Sequence, residues 1–181
     1  MQELLDKWNI KIDYNVLLSM WNESHRSYHT QNHLLDLIDQ INESNFESQK
    51  DYEKMIICAL FHDCVYDPLQ QNNEERSSEF FLSCCQEKNQ DILDINQMIL
   101  DTKTHESTTP LSEKFNQLDM NIVERDFEQL LEWEKGIFEE YKSYGDKYKT
   151  GRIHFLESLL DKYPKNTENL LKLIDYVKTS Y

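Results

Sequence analysis

Histidine and aspartate are the residues of this chain whose types and spacing could do chemistry. Three of the six histidines, His25, His29 and His33, fall within the segment HRSYHTQNH. A His-Asp pair, His62-Asp63, ends the most apolar segment of the sequence. An ionisable pair on such a segment is costly to bury unless something compensates its charge, and a divalent cation would do so. These residues predict a metal site.

The spacing of His29 and His33, at positions i and i+4, predicts that both side chains lie on one face of a helix, about one turn apart. Two further candidates lie downstream: His105, just past an amphipathic pattern, and Asp119. Imidazole and carboxylate ligands together suit divalent transition ions such as Mn, Fe, Ni, Co or Zn, and they suit Ca poorly. His25 is expected to be structural.

The elements that must position these residues are predicted to be helices. Only three glycines and three prolines punctuate the chain, which leaves little material for hairpin turns. Helical patterns are predicted over the ranges 14–21, 32–41, 52–63, 78–85, 92–102, 123–141, 151–163 and 169–181, with residues 103–118 as a loop. The segment 52–63 is apolar on nearly every face, which predicts a central buried helix. Length and a 39% apolar content predict one folded domain over residues 1–181, and the helical patterns predict that this domain is all-α.

Composition also excludes several classes of function. The formal charge of −15, from 34 acidic and 19 basic residues, disfavours nucleic acid as a partner. Neither a basic leader with an apolar stretch nor a membrane-length apolar run is present, so a cytoplasmic location without membrane association is predicted. The phosphate-binding patterns GxxxxGK[ST] and GxGxxG are both absent. Any phosphate chemistry would therefore depend on a metal and on side chains.

In the order of these residues the sequence resembles the HD-domain superfamily of metal-dependent phosphohydrolases. That superfamily presents a histidine, a His-Asp pair and a distant aspartate from a helical bundle, and His33, His62-Asp63 and Asp119 follow the same order. A group of predicted HD phosphohydrolases is more similar still. The segments shared with that group are 26–33 (RSYHTQNH), 61–68 (FHDCVYDP), 73–77 (NEERS), 102–105 (TKTH) and 151–152 (GR), so the resemblance covers roughly residues 25–160.

This resemblance implies roles for the residues that match. It implies a helical HD-type domain and a divalent metal held by His33, His62, Asp63 and Asp119, with Asp63 also counted among the catalytic residues. The first segment is similar, in addition, to the YHNxxH segment of cyclic-nucleotide phosphodiesterases. That likeness implies that His29 is the acid that protonates the leaving oxygen.

Three further side chains are candidates beside this set. Arg26 is predicted to hold a phosphate group by paired hydrogen bonds. His105 and Glu74 are candidates for a second metal or for a phosphate contact, although an exposed carboxylate that caps a helix is the favoured interpretation of Glu74. Where the related group ends its site in Asp-x-Asp-Leu, this chain reads DMNI, so the last ligand is either Asp119 or Asn121.

The sequence thus predicts a metal-dependent phosphohydrolase, a phosphomonoesterase or a phosphodiesterase, that acts on a small phosphate ester, with a nucleotide as the favoured substrate. Two alternatives stay open. In one, His29 and His105 ligate a second iron in an HD-fold oxygenase. In the other, the protein is a non-catalytic module that binds a nucleotide or a protein. Asn121, and Phe138 where the related group has arginine, favour this second alternative.

Overall fold

The computed structural model describes residues 1–181 and consists of helices joined by turns and loops. The ten α-helices are α1 (Gln2–Lys7), α2 (Tyr14–Met20), α3 (Gln31–Glu43), α4 (Gln49–Phe61), α5 (Asn73–Cys84), α6 (Gln90–Asp101), α7 (Pro110–Asp119), α8 (Phe127–Tyr141), α9 (Asp146–Leu159) and α10 (Thr167–Ser180). Short 3-10 helices cover Met120–Glu124, Lys142–Tyr144 and Pro164–Asn166. Extended pairing is limited to one isolated bridge between Ile10 and Cys85. The all-α prediction is confirmed.

The chain divides into two compact units, Met1–Asp119 and Met120–Tyr181. The first unit contains α1 to α7 and all of the candidate site residues named above except Asn121. In the second unit α10 packs on α8 and on α9. The division into two compact units does not test the prediction of one domain over residues 1–181. None of the helices is long and apolar enough to cross a bilayer.

Helix α4 is the central helix of the first unit, as its composition predicts. Every residue from 53 to 61 is buried, and α3, α5, α6 and α7 all pack against it. The helix begins at Gln49, before the apolar pattern does, because the side chain of Ser48 accepts a hydrogen bond from the backbone N–H of Asp51. Each large apolar side chain buried here contributes about 1.5–3 kcal/mol, so this helix organises the core around it.

The last four carbonyl groups of an α-helix find no backbone N–H donor within the helix. In α4 all four nevertheless accept a hydrogen bond. The pairs are Cys58 with the backbone N–H of His62 (2.9 Å), Ala59 with the imidazole Nδ1–H of His62 (3.0 Å), Leu60 with the indole N–H of Trp21 (3.0 Å) and Phe61 with the backbone N–H of Cys64 (3.3 Å). The end of α4 is therefore fixed at the point where His62 leaves it.

The prediction of a loop over residues 103–118 is wrong for its second half. Helix α7 begins at Pro110, and the hydroxyl of Thr109 accepts the backbone N–H of Ser112 at 3.1 Å. Proline is favoured in the first turn of a helix because the N–H that it lacks is not needed there. The pair Thr109-Pro110 therefore starts a helix, and that helix ends at Asp119.

A buried polar network holds part of the second unit together. The carboxylate of Glu134 is completely buried; it accepts the Nε–H of Arg152 at 2.6 Å and the hydroxyl of Tyr148 at 2.6 Å. The guanidinium of Arg152, from the GR segment of the sequence, is thus paired inside this unit. Phe138, which stands where the related group has arginine, stacks on the ring of Tyr181 at 3.8 Å between centroids.

Candidate metal centre

Three side chains from three helices converge at the end of α4. His33 lies in the first turn of α3, His62 directly follows α4, and Asp119 is the last residue of α7. Their nearest donor atoms all lie within 4.8 Å of one another. The Nε2 atom of His33 is 3.1 Å from Oδ1 of Asp119, and Nε2 of His62 is 3.5 Å from the same oxygen. The resemblance implies four ligands, and the cluster contains three of them, His33, His62 and Asp119, without Asp63.

The two distances from the histidines to Oδ1 of Asp119, 3.1 and 3.5 Å, fit a single metal ion. Ligand nitrogens and oxygens lie about 2.0–2.2 Å from a bound zinc-like ion, so two ligands of one ion stand roughly 3–4 Å apart. The mixture of imidazole and carboxylate donors also suits a divalent transition ion. The residues present therefore fit the group that the sequence implies.

His62 has the hydrogen bonding expected of a metal ligand. Its side chain is 1% exposed, and its Nδ1–H donates to the carbonyl of Ala59 at 3.0 Å. This contact leaves Nε2 as the atom that faces Asp63 Oδ2, at 3.3 Å, and Asp119 Oδ1. Nε2 is buried and makes no hydrogen bond. A ligating histidine commonly donates its other N–H to a carbonyl in this way, and an orphaned buried nitrogen requires a partner.

Electrostatics at the cluster favour a positive charge. Burial opposes ionisation of Asp119, but the neighbouring His62, His105 and His33 outweigh it and hold the pKa of this carboxyl well below its usual range. Burial likewise lowers the pKa of His62, whereas the charges of Asp63 and Asp119 raise it, to about 9. In the absence of a metal, a proton on His62 offsets part of the negative charge of the carboxylates. A divalent cation supplies the same balance.

The prediction that His29 and His33 share a helix face is wrong. Helix α3 begins at Gln31, and the Thr30 hydroxyl accepts the backbone N–H of Asn32 at 3.3 Å. The backbone of Thr30 is extended, so the helix cannot continue back to His29, which lies in the preceding turn. The two imidazoles are nevertheless close, with ring centroids 6.1 Å apart.

Four of the predicted residues lie around the three-residue cluster. The carboxylate of Asp63 lies 3.9 Å from Nε2 of His29, and Nε2 of His105 lies 3.5 Å from Oδ2 of Asp119. Glu74 is half-buried, and this burial, followed by the charge of Asp63, raises its pKa. The interpretation of Glu74 as an exposed carboxylate at a helix start is therefore wrong. The structure brings all of these groups to one region of the first unit.

Arg26 differs most from its expected role. Its side chain is completely buried, and all five of its N–H groups have acceptors within the protein: the carboxylate of Glu23 and the backbone carbonyls of His29, Asp63 and Cys64. A guanidinium with no donor left over cannot form the paired hydrogen bonds predicted for a phosphate. We correct that role accordingly.

Two residues that support the site were missed. The indole ring of Trp21 lies 5.4 Å from the ring of His62, between centroids. The carboxylate of Asp101 accepts the backbone N–H of Thr108 at 2.9 Å and its hydroxyl at 2.7 Å, which closes the loop that carries His105. No sequence motif or helical spacing predicts either contact.

Comparison with known proteins gave no match, whether to protein-family models, to curated proteins or to solved structures. The likeness to HD-domain phosphohydrolases remains a prediction from the sequence.

Proposed function

We propose that this protein is a metal-dependent phosphohydrolase that acts on a small phosphate ester. The observation that carries the proposal is the cluster of His33, His62 and Asp119, with the orphaned and buried Nε2 of His62 at its centre. Those three residues, with Asp63 beside them, would hold a divalent transition metal. When bound, such an ion polarises a phosphoryl oxygen and lowers the pKa of a coordinated water.

His29 is the group best placed to move a proton. Its side chain is 19% exposed, so a substrate can reach it, and the rings of Tyr66 and Tyr28 pack against it at 4.5 and 5.0 Å between centroids. Its Nε2 atom lies 3.9 Å from the Oδ2 atom of Asp63, so the imidazole faces this carboxylate. A protonated histidine near neutral pH can donate to a leaving alkoxide.

A nucleotide is the favoured substrate because an aromatic ring borders the proposed acid. Tyr28 is partly exposed, whereas Tyr66 is 7% exposed. Tyr28 is the more exposed of the two, and stacking of a base on a tyrosine ring contributes about 1–3 kcal/mol and is tolerant of base identity. Packing against His29 explains Tyr66.

One observation favours the oxygenase alternative. His105 approaches the second oxygen of Asp119, at 3.5 Å, and Glu74 lies within electrostatic reach of Asp63. These groups could help to hold a second ion, as an oxygenase with two irons requires. The proposal therefore needs a test that counts metal ions and distinguishes hydrolysis from oxidation.

The test begins with protein reconstituted separately with Mn, Fe, Co, Ni and Zn and assayed against nucleotides, phosphodiesters and phosphomonoesters. We expect phosphate ester hydrolysis that needs the metal, together with loss of both metal and activity in His33→Ala. Full metal occupancy without hydrolysis of any ester would overturn the proposal. Two irons per chain with oxygen-dependent turnover would favour the oxygenase, and failure to retain any metal would favour a non-catalytic module.

A further inference from the structure

The Arg26 guanidinium joins the two segments that carry the candidate chemistry. Its Nη1 donates to the backbone carbonyl of His29 at 2.8 Å and to that of Asp63 at 2.9 Å. Its Nη2 donates to the carbonyl of Cys64 at 3.0 Å. One nitrogen thus binds the backbone of the proposed proton donor and the backbone of the carboxylate that faces it.

The surroundings of Arg26 hold the guanidinium in one orientation. Both Nε and Nη2 donate to a carboxylate oxygen of Glu23, each at 3.3 Å. The guanidinium carbon lies 5.4 Å from the ring centroid of Trp21 and 5.1 Å from that of Tyr66. Burying an arginine is costly unless its charge is paired and every N–H is satisfied. Both conditions are met for Arg26, so the protein holds this buried guanidinium in a fixed position.

We propose that Arg26 is a positioning residue, which sets the distance between the imidazole of His29 and the carboxylate of Asp63 by binding both backbones. Helix geometry cannot do this for His29, because His29 lies before the start of α3. Lysine cannot replace the arginine, since its donors radiate from one nitrogen and do not form a planar fork. The catalytic part of this inference rests on the proposed function.

The variants that test it are Arg26→Lys, His29→Ala and the double variant, with Lys54→Gln as the control. Lys54 is also a buried cation of the first unit, but it pairs with Asp91 and Asp94 on α6. Its replacement should lower stability without moving His29. One readout is the nuclear Overhauser contact between the ring protons of His29 and Tyr66 in metal-free protein, and the other is turnover of an alkyl phosphate.

We expect Arg26→Lys to lose the ring contact and to reduce turnover at least tenfold, while Lys54→Gln retains both. The double variant should be no slower than His29→Ala, since residues that act as a unit are not additive. Arg26→Lys that keeps the ring contact and turns over within twofold of the wild type overturns the inference. So does a double variant whose loss is the product of the two single losses.

Failure of the proposed function and failure of Arg26→Lys to fold can each be distinguished from failure of this inference. If the wild type hydrolyses no ester, the proposed function fails, whereas the ring contact still decides whether Arg26 places His29. If Arg26→Lys does not fold, Glu23→Gln replaces it, because Glu23 is half-exposed and its change is milder. A Glu23→Gln protein with unchanged ring contact and turnover would then count against the inference, and a smaller loss in the same direction would support it.

Discussion

His33 Nε2 and Asp119 Oδ1 meet at 3.1 Å, although the two residues belong to different helices, α3 and α7. His33 lies in the first turn of its helix and Asp119 is the last residue of its own. The contact is therefore made between helix ends, where a side chain can point away from the core. The predictions below follow from this arrangement and from the residues that maintain it.

Asp119→Asn should lose the metal. The amide cannot supply the negative charge that His33 and His62 now face, so we expect metal affinity to fall at least tenfold, and calorimetric titration would measure the loss. Asn121→Ala is the control and should bind metal as the wild type does. The opposite pattern, with metal lost only in the Asn121 variant, would show that the wrong residue of the DMNI segment has been assigned.

His29→Ala should keep the metal and lose turnover by roughly a hundredfold, since positioned proton transfer typically contributes that much or more. The loss should shrink for nitrophenyl esters, whose leaving group hardly needs a proton. His33→Ala should lose metal and turnover together. Metal content measured on both purified variants separates the roles: an equal drop in the two would make His29 a ligand and end its assignment as the acid.

Thr30→Ala should weaken both α3 and the metal site. Removing a capping hydroxyl typically costs about 1 kcal/mol in the free energy of unfolding, and His33 lies in the turn that this cap organises. Asp13→Ala removes the comparable cap of α2 and should cost a similar amount without changing metal affinity. Urea unfolding and metal titration of the two variants make the comparison. Equal metal affinities in both would contradict a role for the cap at the site.

Asp101→Asn should reduce stability most at neutral pH. Burial raises the pKa of Asp101, but hydrogen bonds from Ser112, Gln97 and Thr108 outweigh it and lower the pKa below its usual value. A lowered pKa in the folded state stabilises the protein above the unfolded carboxyl's pKa of about 4, and this contribution is lost as pH falls through the folded value. At pH 7 we expect a cost of about 2 kcal/mol, typical of hydrogen bonds to a charged group.

Urea unfolding between pH 7 and pH 3 would measure the effect of the Asp101 variant. The gap between wild type and Asp101→Asn should narrow as the pH falls. Asp39→Asn, a change at an exposed carboxylate of α3, should leave the stability nearly unchanged at pH 7. A gap for Asp101→Asn that is constant over the whole pH range would show that the ionised form of the carboxylate is not what stabilises the loop.

The distribution of apolar residues along a helix predicts how that helix is buried. Periodicity identified α4 as the central helix because its residues are apolar on nearly every side. The His-Asp pair was recognisable because a costly polar group at the end of an apolar segment requires a partner, whereas the assignment of Asp119 came from the resemblance to HD-domain proteins. Capping residues also precede two of the helices, Thr30 before Gln31 and Thr109 before Pro110, and the predictions for His29 and for residues 103–118 did not use them.

What the sequence could not reveal are contacts between segments that are distant in the chain. Nothing in the spacing relates Arg26 to the carbonyl of Asp63, and a buried arginine and a phosphate-binding arginine look alike in a sequence. The hydrogen bond from Trp21 to Leu60 is hidden for the same reason. The acceptors of these hydrogen bonds are backbone carbonyls, which every residue has. The residue types therefore do not indicate the partner, and the contacts are seen only in the folded structure.

The C-terminus of α4 has an electrostatic consequence for His62, although the hydrogen bonds to its last four carbonyls reduce the field. The peptide dipoles of a helix add up to roughly half a negative charge at its C-terminus, and His62 directly follows the C-terminus of α4. The field of the central helix therefore favours a cation at His62 independently of Asp63 and Asp119. Because this contribution comes from the backbone, no single substitution of a carboxylate removes it, and the first unit retains a built-in preference for positive charge at this end.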